Sequence, residues 1–132
     1  MLIGNEKVIL DFGCGTGRFT PDLAKIINGK AIGIDPIRYL IDMAPKIINV
    51  EYLLCKEGQI PLPENSVDVV WSCLVLGGIN GKSLNKSIEE IDRVLKTGGL
   101  LFIVENTSEK KDGEFWFFRQ FTDYKKFFHL WH

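Results

Sequence analysis

One short segment brings together residue types that suit the binding of a small molecule. Asp11 follows an apolar run, and Gly13, Gly15 and Gly17 come after it at alternate positions. Glycine tolerates a positive φ angle, and because it has no Cβ it lets backbone N–H groups approach a ligand closely. At the start of a helix, these N–H groups and the helix dipole favour an anionic group. We therefore expect a small-molecule cradle between a strand and a helix.

The spacing of the glycines argues against a dinucleotide. Dinucleotide-binding loops follow the pattern G-x-G-x-x-G, but Arg18 occupies the third glycine position here. The loop reads G-x-G-x-G, and with Asp11 before it the segment resembles the first motif of the class I S-adenosylmethionine-dependent methyltransferases. The resemblance extends over roughly residues 7–105. A nicotinamide-dependent oxidoreductase, which Arg18 disfavours, and a purely structural use of the glycines are the alternatives.

The resemblance implies S-adenosyl-L-methionine as cofactor and methyl transfer to an unidentified acceptor, for which we expect a small molecule. A noncatalytic S-adenosylmethionine-binding module or partner subunit is the competing interpretation. The cofactor-binding residues that the resemblance implies are Asp11, Gly13, Cys14, Gly15, Gly17, Asp35, Pro36, Glu57 and Cys73.

These residues have different expected roles. Asp35 matches the acid that accepts hydrogen bonds from the ribose hydroxyls, although a helix-capping or loop acid before Pro36 is the structural alternative. The adenine-facing acid of the family falls on Lys56, so Glu57 serves only if the loop shifts, and a solvated Lys-Glu pair is equally plausible. Cys14 is expected to pack in the loop, and Cys73 to lie near the cofactor or to be a buried structural thiol.

No residue stands out as the catalytic group. The segment from Val75 to Ile79 lacks the histidine pair that many relatives carry. Glu105 and Asn106, at the end of the fifth predicted strand, are the nearest candidates for a general base, and a structural role at the strand end is at least as plausible. The catalytic residues therefore stay unknown, and no metal site is expected.

Strands that alternate with helices must position these residues. Apolar runs predict strands over 7–12, 31–34, 50–54, 67–72 and 100–104. The intervening helices are expected to begin near Arg18, to break at Pro45, and to run from Ser83 to the Gly98-Gly99 pair. This pattern predicts an α/β, Rossmann-like, doubly wound and mainly parallel sheet with strand order 3-2-1-4-5. The ends of its strands would then converge on one crevice.

Composition limits the class of protein. The 132 residues are 45% hydrophobic with a net charge of −1, which predicts one globular domain over 1–132 and gives no strong nucleic-acid signal. The three cysteines are an odd number without metal-binding spacing. They favour free thiols in a reducing compartment, and we expect the cytoplasm. Neither a signal segment nor a membrane span is apparent from the sequence.

The last part of the chain carries an aromatic stripe. The predicted core spans 7–106 and is followed by a predicted C-terminal helix over 114–132. In that helix, aromatic residues recur at 4-3-4-3 spacing, at Phe117, Phe121, Tyr124, Phe128 and Trp131. The family resemblance implies N-terminal helices and a final strand pair that this sequence lacks. We expect a homodimer through this helix or the exposed sheet edge, or an exchanged terminal segment, or else a folded monomer in which the stripe is ordinary core.

Overall fold

The computed structural model describes Gly4 and residues 7–105, which fold as alternating strands and helices. In chain order the elements are β1 (Val8–Phe12), α1 (Thr20–Ile27), β2 (Lys30–Asp35), α2 (Arg38–Met43), β3 (Val50–Leu54), β4 (Val67–Cys73), a 3₁₀ turn (Leu76–Gly78), α3 (Gly81–Val94) and β5 (Leu95–Val104).

The five strands form one parallel sheet in the order β3-β2-β1-β4-β5. The predicted strand order is confirmed. Leu10 in β1 is paired with Ile32 of β2 on one side and with Val70 of β4 on the other. The chain order reverses between β1 and β4, and ligands in such sheets bind at the carboxyl ends of the strands near that reversal.

Both faces of the sheet are covered over its central strands, β1, β2 and β4, which explains why these strands are apolar almost throughout. Side chains alternate between the faces along each strand. On one face Ile9 and Val69 pack with residues of α1, and on the other Leu10 and Val70 pack with residues of α3. The two faces therefore form two core clusters separated by the sheet.

Local signals set the helix ends. Pro21 lies in the first turn of α1, where its missing N–H costs little, and Asn28 ends the helix with a left-handed φ of 51°. Asn80 caps α3 by accepting a hydrogen bond from the Ser83 N–H at 3.1 Å. The buried side chains of α3 recur at helical spacing, at Leu84, Ser87, Ile91 and Val94.

The predicted end of the third helix is wrong. The helix stops at Val94, and Gly98-Gly99 lies inside β5. The carbonyl oxygens of Arg93 and Val94 accept N–H groups from the loop before β4, so the chain passes directly from the helix into the strand. The pairing of β5 with β4 shifts register after Leu95. Gly98 has a φ of +79°, and a Cβ on Gly99 would lie 2.7 Å from a side-chain atom of Leu95; the glycines therefore serve an irregularity in the strand.

Three expectations fall partly or wholly outside the described residues. The C-terminal helix over 114–132 and Asn106 are not among them, and the single-domain assignment of 1–132 stays a prediction. None of the helices in the described part of the chain is long and apolar enough to cross a membrane.

Candidate functional site

A crevice of about 360 Å³ opens at the carboxyl ends of the strands. The segments that follow β1, β2, β3 and β4 all contribute to it, and Ser87 of α3 closes one side. Among the predicted site residues, the crevice is lined by Gly13, Asp35, Pro36 and Glu57. The remaining ones lie behind this lining or beside it.

The glycine loop lies across the end of β2. The N–H groups of Gly13 and Cys14 both donate to the carbonyl oxygen of Ile34 at 2.9 Å. Gly13 has a φ of +75°, and a Cβ there would lie 2.6 Å from Cγ2 of Val75, so neither the backbone conformation nor the space admits a side chain. Gly15 also has a positive φ, but no atom lies within 4 Å of the position of its Cβ.

Gly17 serves a different neighbour. Its φ is +79°, and a Cβ would lie 2.6 Å from the hydroxyl oxygen of Tyr52. This glycine therefore lets the loop pack against β3 and does not line the crevice.

Asp35 joins the loop to the end of β2. Its carboxylate is buried, and it accepts the Gly15 N–H at 3.0 Å through Oδ2 and the Ile37 N–H at 2.9 Å through Oδ1. Each carboxylate oxygen has two lone pairs, so both oxygens retain acceptor capacity toward the crevice. The bond to Ile37 is the local turn that the structural alternative expected, and the bond to Gly15 ties the loop to the acid.

A buried hydrogen bond joins Asp11, before the glycine loop, to the start of α1. It is 3% exposed, and the hydroxyl of Thr20, the first residue of α1, donates to its Oδ2 at 2.7 Å. Burial raises the pKa of Asp11 to about 6; the Thr20 hydrogen bond opposes this rise and the nearby Asp35 adds to it. The two ends of the glycine loop are thus fixed to each other by one buried carboxyl group.

The cysteines are free thiols. Cys14 is buried over Gly33, where a Cβ would lie 2.9 Å from its sulfur atom. Burial, with Asp11 adding to it, raises the pKa of Cys14 to about 12, and burial also raises the pKa of the half-buried Cys73. Both side chains are therefore protonated and unsuited to nucleophilic attack at neutral pH.

The loop after β3 contributes exposed Lys56 and Glu57 to the lining of the crevice. The loop is attached to α3 at Ile60, whose N–H is accepted by Glu90 at 3.0 Å and whose carbonyl oxygen accepts from Arg93 at 2.9 Å. Both backbone polar groups of Ile60 are therefore held by charged side chains of one helix.

Sequence reasoning missed the wall after β4. Leu74 and Val75 line the crevice, as does exposed Ile37 beyond Pro36. Ile37 had a sequence signal, since it is an apolar residue directly after the acid-proline pair. Leu74 had none, because its left-handed φ of 54° depends on contacts with β5.

Glu105 is held by this wall. Its carboxylate accepts the N–H groups of Val75, Leu76 and Gly77 at 3.0, 3.1 and 3.0 Å. Both oxygens bind backbone, which favours the structural role over that of a general base. Asn106, the other candidate base, lies outside the described residues.

A larger groove of about 740 Å³ lies elsewhere, between α2 and β3. It is lined by Ile41, Lys46 and Tyr52 among others, but by no residue of the glycine loop and not by Asp35. Volume alone therefore does not locate the site, and the crevice with the convergent backbone and carboxylate groups is the stronger candidate.

A family model described as a methyltransferase domain matches residues 10–103. The chain belongs to the class I S-adenosylmethionine-dependent methyltransferases. S-Adenosyl-L-methionine is the cofactor that this membership assigns to it.

The curated proteins that this chain resembles are much longer than the chain. The chain is 37% identical over 105 residues to ribosomal RNA-processing protein 8 of Mus musculus, covering 80% of this chain and 20% of that protein. It spans less than half of the length of the first curated relatives that it matches.

Two solved structures share the fold. An S-adenosylmethionine-dependent methyltransferase from Aquifex aeolicus is 30% identical with a TM-score of 0.72, over 81% of this chain and 60% of that one. A methyltransferase of Haloferax volcanii, solved in complex with the Trm112 methyltransferase activator, has a TM-score of 0.81 at 21% identity, over 93% and 59% of the two chains.

Proposed function

We propose that this chain binds S-adenosyl-L-methionine in the crevice and transfers its methyl group to a small-molecule acceptor. The observation that carries the proposal is the bond between the Gly15 N–H and Asp35 Oδ2 at 3.0 Å. It joins the glycine loop and the acid of the neighbouring strand into one preformed edge of the crevice.

The residues present fit the cofactor. Asp35 retains acceptor capacity for the ribose hydroxyls, and Pro36 and Glu57 line the same crevice and would face the adenine. The glycine loop would take the methionine portion through Gly13 and Gly15, while Gly17 packs the loop against β3 and Asp11 orders it through Thr20. Cys14 and Cys73 would contribute packing and backbone.

The chemistry asked of the chain is mainly positioning. The cofactor supplies a sulfonium with an activated methyl group. The protein must hold the acceptor in line with that methyl group at short distance and exclude water. We assign no general base, because Glu105 is bound to backbone N–H groups.

The alternative function is that of a noncatalytic module or partner subunit that binds the same cofactor. The Haloferax volcanii neighbour was solved with an activator protein, which supports a binding module or subunit that works with a partner. The name of the mouse relative refers to ribosomal RNA processing, so RNA belongs in the acceptor panel, although the net charge of −1 disfavours a long polyanion.

Calorimetry with S-adenosylhomocysteine and with NADH tests the proposal. We expect heat from the first and none from the second. Formation of S-adenosylhomocysteine from the cofactor with a panel of small amines, phenols, thiols and RNA then tests turnover. Binding without turnover across the panel would favour the module, and binding of NADH alone would overturn the assignment.

Two further proposals concern the setting of the protein. Free thiols at Cys14, Cys55 and Cys73 support a reducing compartment, for which we propose the cytoplasm. We also propose a homodimer through the aromatic segment 114–132 or the sheet edge. Size-exclusion chromatography with light scattering tests this, and a monomer at micromolar concentration would remove it.

A further inference from the structure

The end of β5 holds four consecutive backbone groups of the segment that follows β4. Val104 accepts the Leu74 N–H at 2.7 Å, and Glu105 accepts the next three, from Val75 to Gly77. Carboxylate bonds to backbone N–H groups are charge-assisted and about twice as strong as neutral ones. Val104, the last residue of β5, and Glu105 directly after it thus fix the start of the 3₁₀ turn.

The segment that they hold is strained. Leu74 has a φ of 54°, in the left-handed region that non-glycine residues seldom occupy, and its side chain is 52% exposed. Such a conformation persists where neighbouring contacts impose it. Here the flanking hydrogen bonds to Val104 and Glu105 supply those contacts.

The same segment reaches the glycine loop. The side chain of Val75 occupies the space beside Gly13, so that a Cβ there would lie 2.6 and 2.8 Å from its two methyl carbons. Leu74, Val75 and Ile79 form one wall of the crevice, and Asp35 lies on another. A shift of this turn would therefore move both the wall and the support beneath the loop.

We propose that Glu105 is a positioning residue that sets the cofactor crevice by holding the turn at 75–77 against Gly13. The inference rests on the proposed cofactor site, and Glu105 itself touches no reacting atom in it. Its negative charge is required because three N–H groups converge on two oxygens. An amide at this position would offer one acceptor oxygen and would turn an NH₂ donor toward backbone donors.

Glu105→Gln, with Glu89→Gln as its matched control, tests the inference. Glu89 is exposed on α3, so its variant removes the same charge away from the crevice. For Glu105→Gln we expect affinity for S-adenosylhomocysteine to fall about tenfold by calorimetry, since hydrogen bonds to a charged group are lost. Glu105→Asp keeps the charge and should recover part of the affinity, and circular dichroism checks that each variant folds.

Amide hydrogen exchange in the absence of ligand gives a second readout. In Glu105→Gln we expect faster exchange at Val75, Leu76 and Gly77 and also at Gly13, which Glu105 does not touch. Unchanged exchange at Gly13 with unchanged affinity would overturn the inference. If the wild-type chain binds no S-adenosylhomocysteine, the proposed function is wrong. The change in amide exchange at Gly13 then tests by itself whether Glu105 holds the turn at 75–77 against the glycine loop.

Discussion

The two sides of the crevice are built in different ways. On the side of β1 and β2, the glycine loop and Asp35 lie within a short stretch of sequence and show the residue types that the geometry requires. On the side of β4 and β5, Glu105 holds backbone groups about thirty residues away. A residue-type pattern reveals the first side, whereas the second becomes visible only when the chain is folded.

Gly13→Ala probes the contact between the two sides and should have the largest effect. The new Cβ would meet Val75 at 2.6 Å, and the φ of +75° is unfavourable for any side chain. We expect the free energy of unfolding to fall by about 2–4 kcal/mol, from backbone strain and overpacking together. Urea denaturation measures this change.

A second substitution separates the two causes. Val75→Ala in the Gly13→Ala background removes the two nearest methyl carbons and should restore part of the lost stability. Gly15→Ala is the control, because its φ is also positive but no atom lies within 4 Å of the new Cβ. Equal losses for the two alanine variants would show that Val75 does not press on the loop.

Asp11 gives the glycine side a pH dependence. Burial raises its pKa from 3.8 to about 6, so the folded chain holds this proton more tightly than the unfolded chain does. Stability from this group is therefore present below about pH 4 and is lost as pH rises toward about 6, with a total cost of about 3 kcal/mol.

Asp11→Asn removes this dependence while keeping an oxygen that accepts from Thr20. Urea denaturation at pH 4 and at pH 7.5 should show the variant gaining up to about 3 kcal/mol on the wild type between the two values. Asp42→Asn, at an exposed position on α2, is the control for the loss of a carboxylate. A difference between Asp11→Asn and the wild type that does not change with pH would mean that the Asp11 carboxyl is solvated in the folded chain.

Asp35→Ala tests the binding role of the glycine side. The variant loses the acceptor of the Gly15 and Ile37 N–H groups and the acceptor proposed for the ribose. Hydrogen bonds to a charged group contribute about 1.5–3 kcal/mol, so calorimetry should show affinity for S-adenosylhomocysteine weakened about ten- to hundredfold. Asp42→Ala serves as the control. An unchanged affinity in Asp35→Ala would show that Asp35 stabilises the local turn and does not bind the cofactor.

Particular residues show what could be predicted from the sequence and why. The doubly wound parallel sheet followed from the alternating strands and helices, and the placement of Asp35 at a strand end followed from the apolar run before it. The end of α3 was mispredicted because Gly98-Gly99 shapes a strand irregularity that only its pairing with β4 reveals. The left-handed Leu74 was unpredictable since its causes lie in β5.

The smallest expected effect concerns the loop that carries Lys56 and Glu57. Glu90 and Arg93 hold this loop from a distance at Ile60, much as Glu105 holds the turn after β4. Glu90 accepts one backbone N–H where Glu105 accepts three, and the side chains of Glu90 and Arg93 are partly exposed to solvent. Because solvent screens such pairs, Glu90→Gln should lower the free energy of unfolding by only about 0.5–1 kcal/mol.

The same variant decides whether any carboxylate that is distant along the chain supports the crevice, or only one that holds several backbone groups. If the number of backbone groups governs, affinity for S-adenosylhomocysteine in Glu90→Gln should stay within about threefold of the Glu89→Gln control, corresponding to under about 1 kcal/mol. A tenfold loss would show that the loop at 56–60, like the turn at 75–77, must be held by a carboxylate distant along the chain for the crevice to bind its ligand. The two sides of the crevice would then differ in whether the residues that hold them are near or distant in the sequence.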